Sequence, residues 1–583
     1  MKGWLHRPDA LAPIPDGYKW VALFISTLGM LMATIDGSIV LISLPDIFRG
    51  IGIDPLEPGN SFYLLWMILG FLVTTSVLVV TFGRLGDMYG RVRMYNLGFA
   101  VFTFFSLALS VTWLTGSAAA DYLIIMRIFQ GVGAAMLMAN SAAILTDAFP
   151  EDQRGMALGV NQAAAFSGSF IGLILGGLLA PINWRLIFLV SVPIGLFATV
   201  WGYLQLRELG QRRSAHIDWP GNATFALGLV CIMVGITYGI EPYGGHAMGW
   251  TNPKVIGALV AGVILLVAFC IIELRVREPM FTLGLFKIRA FTAGIIASFL
   301  AAMSRGGLMF MLIIWLQGIW LPLHGYSFES TPLWAGVALI PLTVGLFIAG
   351  PISGVLSDRY GPRPFATGGM IGVAICLALL EALPIDFNYV AFAVLLFFTG
   401  LTMASFGSPN RAGVMNSLPP EHRGAGSGMN TTFQNSAQVI SLGVFYTLII
   451  VGLSGTLPHN VSAGLLAHGV PRDVAERASH LPPISTLFAA FLGYNPVQHL
   501  IGPGAVAHLS AAQQAALARR SFFPGLIAQP FRAGLHAAFD FAIVMSLIAA
   551  AASWTRGKRY LYTPAVDEPA AQLVLTEVGS GSA

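Results

Sequence analysis

Gly83-Arg84-Leu85-Gly86-Asp87-Met88-Tyr89-Gly90-Arg91-Val92-Arg93 lies between two long apolar runs, and its reading decides the fold. A degenerate copy, Gly354-Val355-Leu356-Ser357-Asp358-Arg359-Tyr360-Gly361-Pro362-Arg363, follows 271 positions later in the same setting. Glycines such as Gly83, Gly90, Gly354 and Gly361 let the backbone turn sharply and let two helix ends approach closely. Asp87, Asp358 and Arg91 supply charges that can pair across the turn or with a neighbouring helix end. One such motif is weak evidence by itself. Two, each set between spanning-length segments, point to a chain built twice on one plan.

Composition sets the solvent. The 583 residues are 56% hydrophobic and only 10% charged, where about a quarter are charged in a soluble domain. Phe62 to Phe82 contains no charge and exceeds the ~18 apolar residues needed to cross a bilayer. The net charge of +4 is too small to argue for nucleic acid. Cys231, Cys270 and Cys376 each fall inside apolar runs, at spacings that fit neither a metal site nor a disulfide framework. The expected class is an all-α polytopic membrane protein.

Spans are expected near 18–44, 61–82, 95–114, 122–147, 155–179, 187–206, 220–240, 255–274, 291–321, 333–353, 365–383, 389–410, 425–453 and 533–554. Fourteen crossings put both termini on one side. Alternation assigns most of the 31 Lys and Arg to that side, among them Arg84, Arg91, Arg93, Arg207, Arg212, Arg213, Arg359 and Arg363. The excess of positive charge marks it as cytoplasmic. The polar stretch Met1 to Asp16 lacks the short apolar core of a cleavable signal peptide.

The chain repeats itself. Pro150-Glu151-Asp152-Gln153-Arg154-Gly155, followed by Gly159 and Asn161, is matched 269 positions later by Pro419-Pro420-Glu421-His422-Arg423-Gly424, followed by Gly428 and Asn430. Gly131 and Gly400 keep the same offset. Residues 18–206 and 291–554 therefore read as two related six-helix bundles, with two further helices inserted in the linker 207–290. Residues 1–17 and 555–583 read as cytoplasmic tails. Internal repeats of this kind mark transporter folds, with the substrate site near the midplane between them. Residues 454–531 form an unusually long outer loop with turn signals and an amphipathic helix expected near Ser510 to Arg520; it offers a surface to a periplasmic or extracellular partner.

An ionisable group within a span is costly and by default marks a pathway or relay. Asp36 sits late in the first span, and Arg127 in the fourth is its candidate partner. Burial and a nearby cation act on such a carboxyl in opposite senses, so it can take up and release a proton as its access switches. The competing reading is a permanent ion pair that fixes helix packing. Gly168, Gly172 and Gly176, spaced by four and followed by Gly177, put a small-residue face on the fifth span and read as helix packing. Asn430, Gln434 and Gln438 make one face of the thirteenth span polar, and Asn161 and Gln162 repeat the theme in the fifth. These amides either hold a neighbouring helix or line a substrate cavity. Arg305 is a lone mid-membrane cation suited to an anionic substrate or to a carbonyl. Arg532, His536 and Asp540 form a stripe in the last span, where a titratable His–Asp pair is a second proton-handling candidate and a plain interfacial charge ladder is the simpler one.

Soluble-enzyme chemistry is thin. No Gly-rich phosphate loop ending in Gly-Lys-Ser/Thr is present, which argues against an ATP-driven pump, and no His-Glu-x-x-His or paired-Cys spacing occurs. No cofactor is called for. Isolated membrane serines and acids leave an intramembrane hydrolase open as a class.

In these residues the chain resembles the major facilitator superfamily, and within it the fourteen-helix drug:proton antiporter branch. The likeness covers roughly 18–453 and 531–554. It rests on the hinge and its second copy, on Arg127-x-x-Gln130-Gly131-x-Gly133, on Asp36 with the run to Pro45, and on Asn183-Trp184-Arg185-Leu186-Ile187-Phe188 with Val192-Pro193-Ile194-Gly195. The resemblance implies a multidrug-type efflux transporter of a cytoplasmic (inner) membrane, with a small-molecule substrate and protons as partners. It implies alternating access by two rocking bundles, Asp87 and Arg91 in a cytoplasmic latch between halves, Asp36 as proton-linked acid and Arg127 as the basic residue of coupling. Two departures stand out. Gly172-Leu173-Ile174-Leu175-Gly176-Gly177 lacks the proline that marks antiporters, and Gln434 stands where the branch often has Arg. A uniporter or importer, and a non-transporting scaffold or receptor using the outer loop, are the rival readings.

Overall fold

A computed structural model describes residues 17–54, 60–150, 153–209, 218–240, 243–244, 248–276, 279, 281–418, 423–479, 483–492, 495, 497, 500–502, 506 and 508–557. Most of both expected tails, residues 151–152 and 419–422 of the repeated turn, and the side chain of Asp358 lie outside the described residues. Among the described residues, fourteen helices are long and apolar enough to cross a membrane. They are α1 (Tyr18–Ile51), α2 (Phe62–Tyr89), α3 (Arg91–Ser110), α4 (Gly116–Ala148), α5 (Met156–Leu179), α6 (Leu186–Gln205), α7 (Trp219–Ile240), α8 (Pro253–Arg275), α9 (Arg289–Leu323), α10 (Thr331–Ser357), α11 (Pro362–Glu381), α12 (Tyr389–Asn416), α13 (Gly426–Ala467) and α14 (Phe522–Thr555). Helices, which bond most of their backbone groups internally, are an architecture lipid tolerates.

The hinge is tighter than its glycines predict. Helix α2 runs straight through Gly83 and Gly86 to Tyr89, and the chain breaks at Gly90 alone (φ 111°) before α3 starts at Arg91. In the second copy the helix of α10 continues to Tyr360, Gly361 makes the break (φ 85°), and Pro362 opens α11. Both breaks use the left-handed backbone that glycine adopts without strain. Pro362 at the first helical position loses no bond, since its N–H would have no partner there.

Several helices overrun the apolar runs that announce them, because hydropathy marks the bilayer and not the end of the hydrogen-bonded ladder. Helix α1 reaches Ile51, α4 begins at Gly116, α12 continues to Asn416 and α14 begins at Phe522. The largest overrun is α13, which extends to Ala467 and absorbs the start of the expected outer loop. The rest of that loop holds further short helices, Arg472–Ser479, Pro483–Phe491 and Ala511–Leu517. The last is the amphipathic helix anticipated near Ser510. Its start is fixed by a reciprocal cap: Gln513 N–H donates to Ser510 Oγ at 3.3 Å and Ser510 N–H to Gln513 Oε1 at 2.9 Å. Phe488 and Phe491 pack against Tyr446 and Phe310, with ring centroids 5.7 and 5.9 Å apart, so the segment is seated on the second bundle.

Helices α1–α6 and α9–α14 form two pseudo-symmetric bundles, and their close contacts obey the sequence offset. In the first, Gly172 of α5 lies against Ile35 and Ser38 of α1. In the second, Ser441 of α13 lies against Gly306 of α9 and its Oγ accepts from Gly307 N–H at 2.9 Å. Ser441 is 269 positions beyond Gly172, and Gly307 is 269 beyond Ser38. The same helix crossing is therefore built twice. Helices α7 and α8 pack on each other, and α7 also touches α2 and α13, one from each bundle. Thr81 Oγ1 on α2 donates to Asn222 Oδ1 on α7 at 2.5 Å.

The bundles meet mainly toward the end that carries the outer segment, here the loop end. There Gln317 Nε2 donates to the Ile42 carbonyl at 3.2 Å. Gly177 abuts Leu333, and Gly336 abuts Leu173. Toward the opposite, hinge end, Pro351, Ile352, Val355 and Leu356 of α10 are all exposed. The halves are in direct contact at the loop end.

Candidate functional site

Four helices of the first bundle converge on one buried polar cluster. Asp36 of α1 is fully buried, and Arg127 of α4 is 1% exposed. Arg127 Nη1 donates to Asp36 Oδ2 and also to Gln130 Oε1, the latter at 2.9 Å. Gln130 Nε2 donates to Asp36 Oδ1 at 2.9 Å and to Ser106 Oγ of α3 at 2.8 Å. Arg127 Nε reaches the Met67 carbonyl of α2 at 3.4 Å, and its guanidinium stands 4.4 Å from the centre of the Phe71 ring. Both carboxylate oxygens are thus occupied, and the cation is held by an acid, an amide, a carbonyl and a π-face. An isolated charge at this depth is costly, and a pair with satisfied lone pairs offsets that cost. Adding a proton to Asp36 would remove the counter-charge of Arg127. The sequence motif held Gln130 one turn after Arg127 without giving it a role, and Ser106 was not named.

At the hinge, Arg91 Nε donates to Asp87 Oδ1 at 2.9 Å, and Arg91 Nη1 lies 2.8 Å from both oxygens of Asp147 on α4. Glu208, just after α6, accepts from the backbone N–H groups of Arg91 at 2.9 Å and Val92 at 3.2 Å. A carboxylate there satisfies unpaired donors and complements the positive end of α3. These partners all belong to the first bundle, so in this conformation Asp87 and Arg91 tie its helices together. Asp147 and Glu208 are distant in sequence and carry no local signature. Gly86 lies against Asn140 of α4, and Gly83 has more room. In the second copy, Gly354 lies near Ser408, and Arg363 stacks 3.9 Å from the Trp554 ring centre.

Gly168, Gly172 and Gly176 all lie against α1, whereas Gly177 faces α10 of the other bundle. Among the amides, Asn161 is buried and donates to Ser141 Oγ at 3.0 Å. Asn430 is also buried, with its Oδ1 unbonded, while Gln434 and Gln438 are half-buried. Gln162 accepts from Arg411 Nη1 of α12, a bond between the bundles. Arg411 was passed over because the expected span ended one residue before it. Arg305, in the middle of α9, keeps an exposed side chain.

In α14 the structure joins His536 to Glu381 of α11 and not to Asp540. Arg532 Nε donates to His536 Nε2 at 3.2 Å, and His536 Nδ1 lies 2.9 Å from Glu381 Oε1. Since Nε2 accepts, Nδ1 carries the hydrogen and donates to the carboxylate. Asp540, one turn further, is exposed. Gln317, also unanticipated, is fully buried in a π-turn over Trp315–Trp320 of α9, with its Oε1 unbonded; such turns frequently mark functional positions. Among the described residues no group of His, Cys, Asp and Glu is set to hold a metal ion.

Comparison with known proteins agrees with this architecture. The chain is 28% identical over 441 residues to the riboflavin transporter RibZ of Clostridioides difficile (strain 630), covering 75% of this chain and 89% of the relative. It is 26% identical over 492 residues to the tetracenomycin C resistance and export protein of Streptomyces glaucescens, covering 82% and 87%. The fold matches the inward-facing, occupied crystal structure of a bacterial homologue of the human lysosomal transporter Spinster, with TM-score 0.54, 15% identity and coverage of 95% and 100%. The model of the Major Facilitator Superfamily matches residues 26–442. The chain belongs to the Major Facilitator Superfamily and is a secondary active transporter of small organic molecules.

Proposed function

We propose that the protein exports amphipathic or hydrophobic organic compounds across a bacterial inner membrane in exchange for protons, with both termini and the hinge end on the cytoplasmic side. The observation that carries this is the closed cluster of Asp36, Arg127, Gln130 and Ser106. A carboxyl held by a permanent cation in the midst of a mobile bundle is the element through which a proton is exchanged for helix movement. Asp87 and Arg91, with Gly83, Gly90, Gly354, Asp358 and Gly361, serve as the latch that sets the hinge-end geometry; Gln162, Arg305, Gln434 and Gln438 face the substrate space. A relative named for tetracenomycin C resistance and export supports the outward direction.

The test uses purified protein in liposomes with an imposed pH gradient, following ethidium and dansylaminoundecanoic acid. Export by exchange predicts gradient-driven movement of one or both dyes that is lost in Asp36→Asn. A second reading, uniport or import, is favoured by the absence of the antiporter proline between Gly172 and Gly176 and by a relative named for riboflavin transport. Transport that persists after the pH gradient is collapsed would select it. The scaffold reading requires the outer segment 454–531 for function; transport that survives its excision removes that reading.

A further inference from the structure

Two permanent positive charges stand on the second bundle without an acid. Arg305 projects from the middle of α9, and Arg411 from the hinge-end part of α12. Among the described residues no acid is paired with Arg305, and Arg411 meets the Gln162 amide oxygen but no carboxylate. The two helices touch beside them: Asn410, next to Arg411, donates to Ser298 Oγ at 2.6 Å, two turns before Arg305 on α9. Neither arginine can escape by losing a proton, because arginine stays charged in proteins.

The repeat shows how unusual this is. Arg305 is 269 positions after Asp36, so the two bundles carry opposite charges at one and the same place in their opening helices. Asp36 is neutralised within its own bundle by Arg127. The matching position in the second bundle is Leu396, fully buried, and the position matching Gln130 is Thr399, whose hydroxyl is spent on the Leu395 carbonyl at 2.7 Å. Neither matching position offers Arg305 a charged partner. Both arginines keep accessible surface, and each guanidinium carries five N–H donors, of which Arg411 spends one on Gln162. Beyond Arg289 at its start, α9 carries no charge but Arg305, and α12 none but Arg411. The forked guanidinium matches the two oxygens of a carboxylate or phosphate.

We propose that Arg305 and Arg411, with Gln162 closing from the other bundle, form a recognition site for an oxyanion headgroup, so that the transporter takes amphipathic organic acids. The inference rests on the transporter reading only in assigning this space to the substrate. A carboxylate or phosphate between the two arginines pairs with both charges, and binding it trades the Arg411–Gln162 bond for stronger charge-assisted ones. An apolar body on the ligand is accommodated by the uncharged helix walls.

The test is equilibrium binding to the full chain in phosphatidylcholine nanodiscs with no pH gradient, so a failure of proton coupling leaves it untouched. Dansylaminoundecanoic acid and its methyl ester are the matched probes. The acid is expected to bind about tenfold or more tightly than the ester, the range for charge-assisted bonds. Arg305→Gln and Arg411→Gln are each expected to bring the acid toward the ester, and Arg305→Lys to keep part of the difference. Equal affinity of acid and ester on the wild-type chain, which needs no variant to fold, overturns the proposal; so does discrimination that survives both glutamine variants. Displacement of the acid by added phosphatidylglycerol assigns the site to a lipid phosphate, displacement by inorganic phosphate to the free oxyanion, and resistance to both to the amphipathic acid itself. Each of the three supports the site when acid and ester differ.

Discussion

Replacing Asp36 by Asn keeps the shape of the side chain and removes its charge, and the structure sets the consequence. Arg127 is left as a buried cation with Gln130 Oε1 at 2.9 Å, the Met67 carbonyl at 3.4 Å and the Phe71 face as its remaining company. Breaking a buried pair from one side costs about 3–5 kcal/mol, and these surviving contacts place Asp36→Asn toward the lower end. Arg127→Gln leaves the acid instead, which avoids a bare charge by taking a proton. The double variant leaves two amides beside Gln130 and is expected to recover about 2–3 kcal/mol relative to the sum of the single changes, the coupling typical of contacting residues. Thermal unfolding in detergent reads the stability, and gradient-driven flux in liposomes reads the coupling. A packing pair and a proton carrier part company in the double variant. Both predict recovered stability, but the carrier predicts that gradient-driven transport stays lost while downhill movement of substrate continues. Full gradient dependence in the double variant, or in Asp36→Asn alone, would refute the assignment of Asp36.

Three further outcomes follow from the packing. A Cβ at position 172 would lie 2.5 Å from the Ile35 carbonyl oxygen, so Gly172→Leu is expected to force α1 and α5 apart and abolish folded expression, whereas Gly159→Ala, with nothing within 4 Å, is expected to behave as wild type in size-exclusion chromatography. Glu208→Ala removes the acceptor for two backbone donors at the start of α3 and is expected to cost about 1–2 kcal/mol, read as a lower unfolding temperature in detergent. Gln317→Leu loses the bond to Ile42 but also removes a buried, unbonded Oε1. The unpaired oxygen costs about 1–3 kcal/mol against about 1 kcal/mol for the bond, so the variant is expected to favour the closed loop end, seen as a larger short-distance fraction between spin labels on the two halves.

Much of the fold was legible in the residues because lipid leaves so few choices. Apolar runs of spanning length, a doubled hinge and one constant offset yield fourteen helices and two related bundles. Helix ends were not legible, since α13 carries on well past its apolar stretch to Ala467 once its ladder is satisfied. That the hinge reduces to Gly90 alone also lay beyond the motif, because Gly83 and Gly86 are equally permissive by type and differ only in what packs against them. At the candidate site, Asp36 and Arg127 announced themselves as charges in apolar surroundings. Asp147 and Glu208 did not, because acids near helix ends are ordinary and only the folded chain brings them to Arg91. Arg411 was missed through a boundary set at residue 410, which made a membrane charge look like one more residue on the charged face. His536 found Glu381 because helix neighbours compete with sequence neighbours, and the next helix was nearer than the next turn.

The proposed transport cycle requires the two bundles to swing apart at the loop end for substrate to pass. Leu173 and Gly336 face each other across that seam, with a Cβ at position 336 only 3.2 Å from the Leu173 carbonyl oxygen. With Cys231, Cys270 and Cys376 replaced by Ala, a Leu173→Cys, Gly336→Cys chain offers a bridge that pins the seam shut. Transport should stop on oxidation and return on reduction. Undiminished transport with the bridge formed would contradict the account.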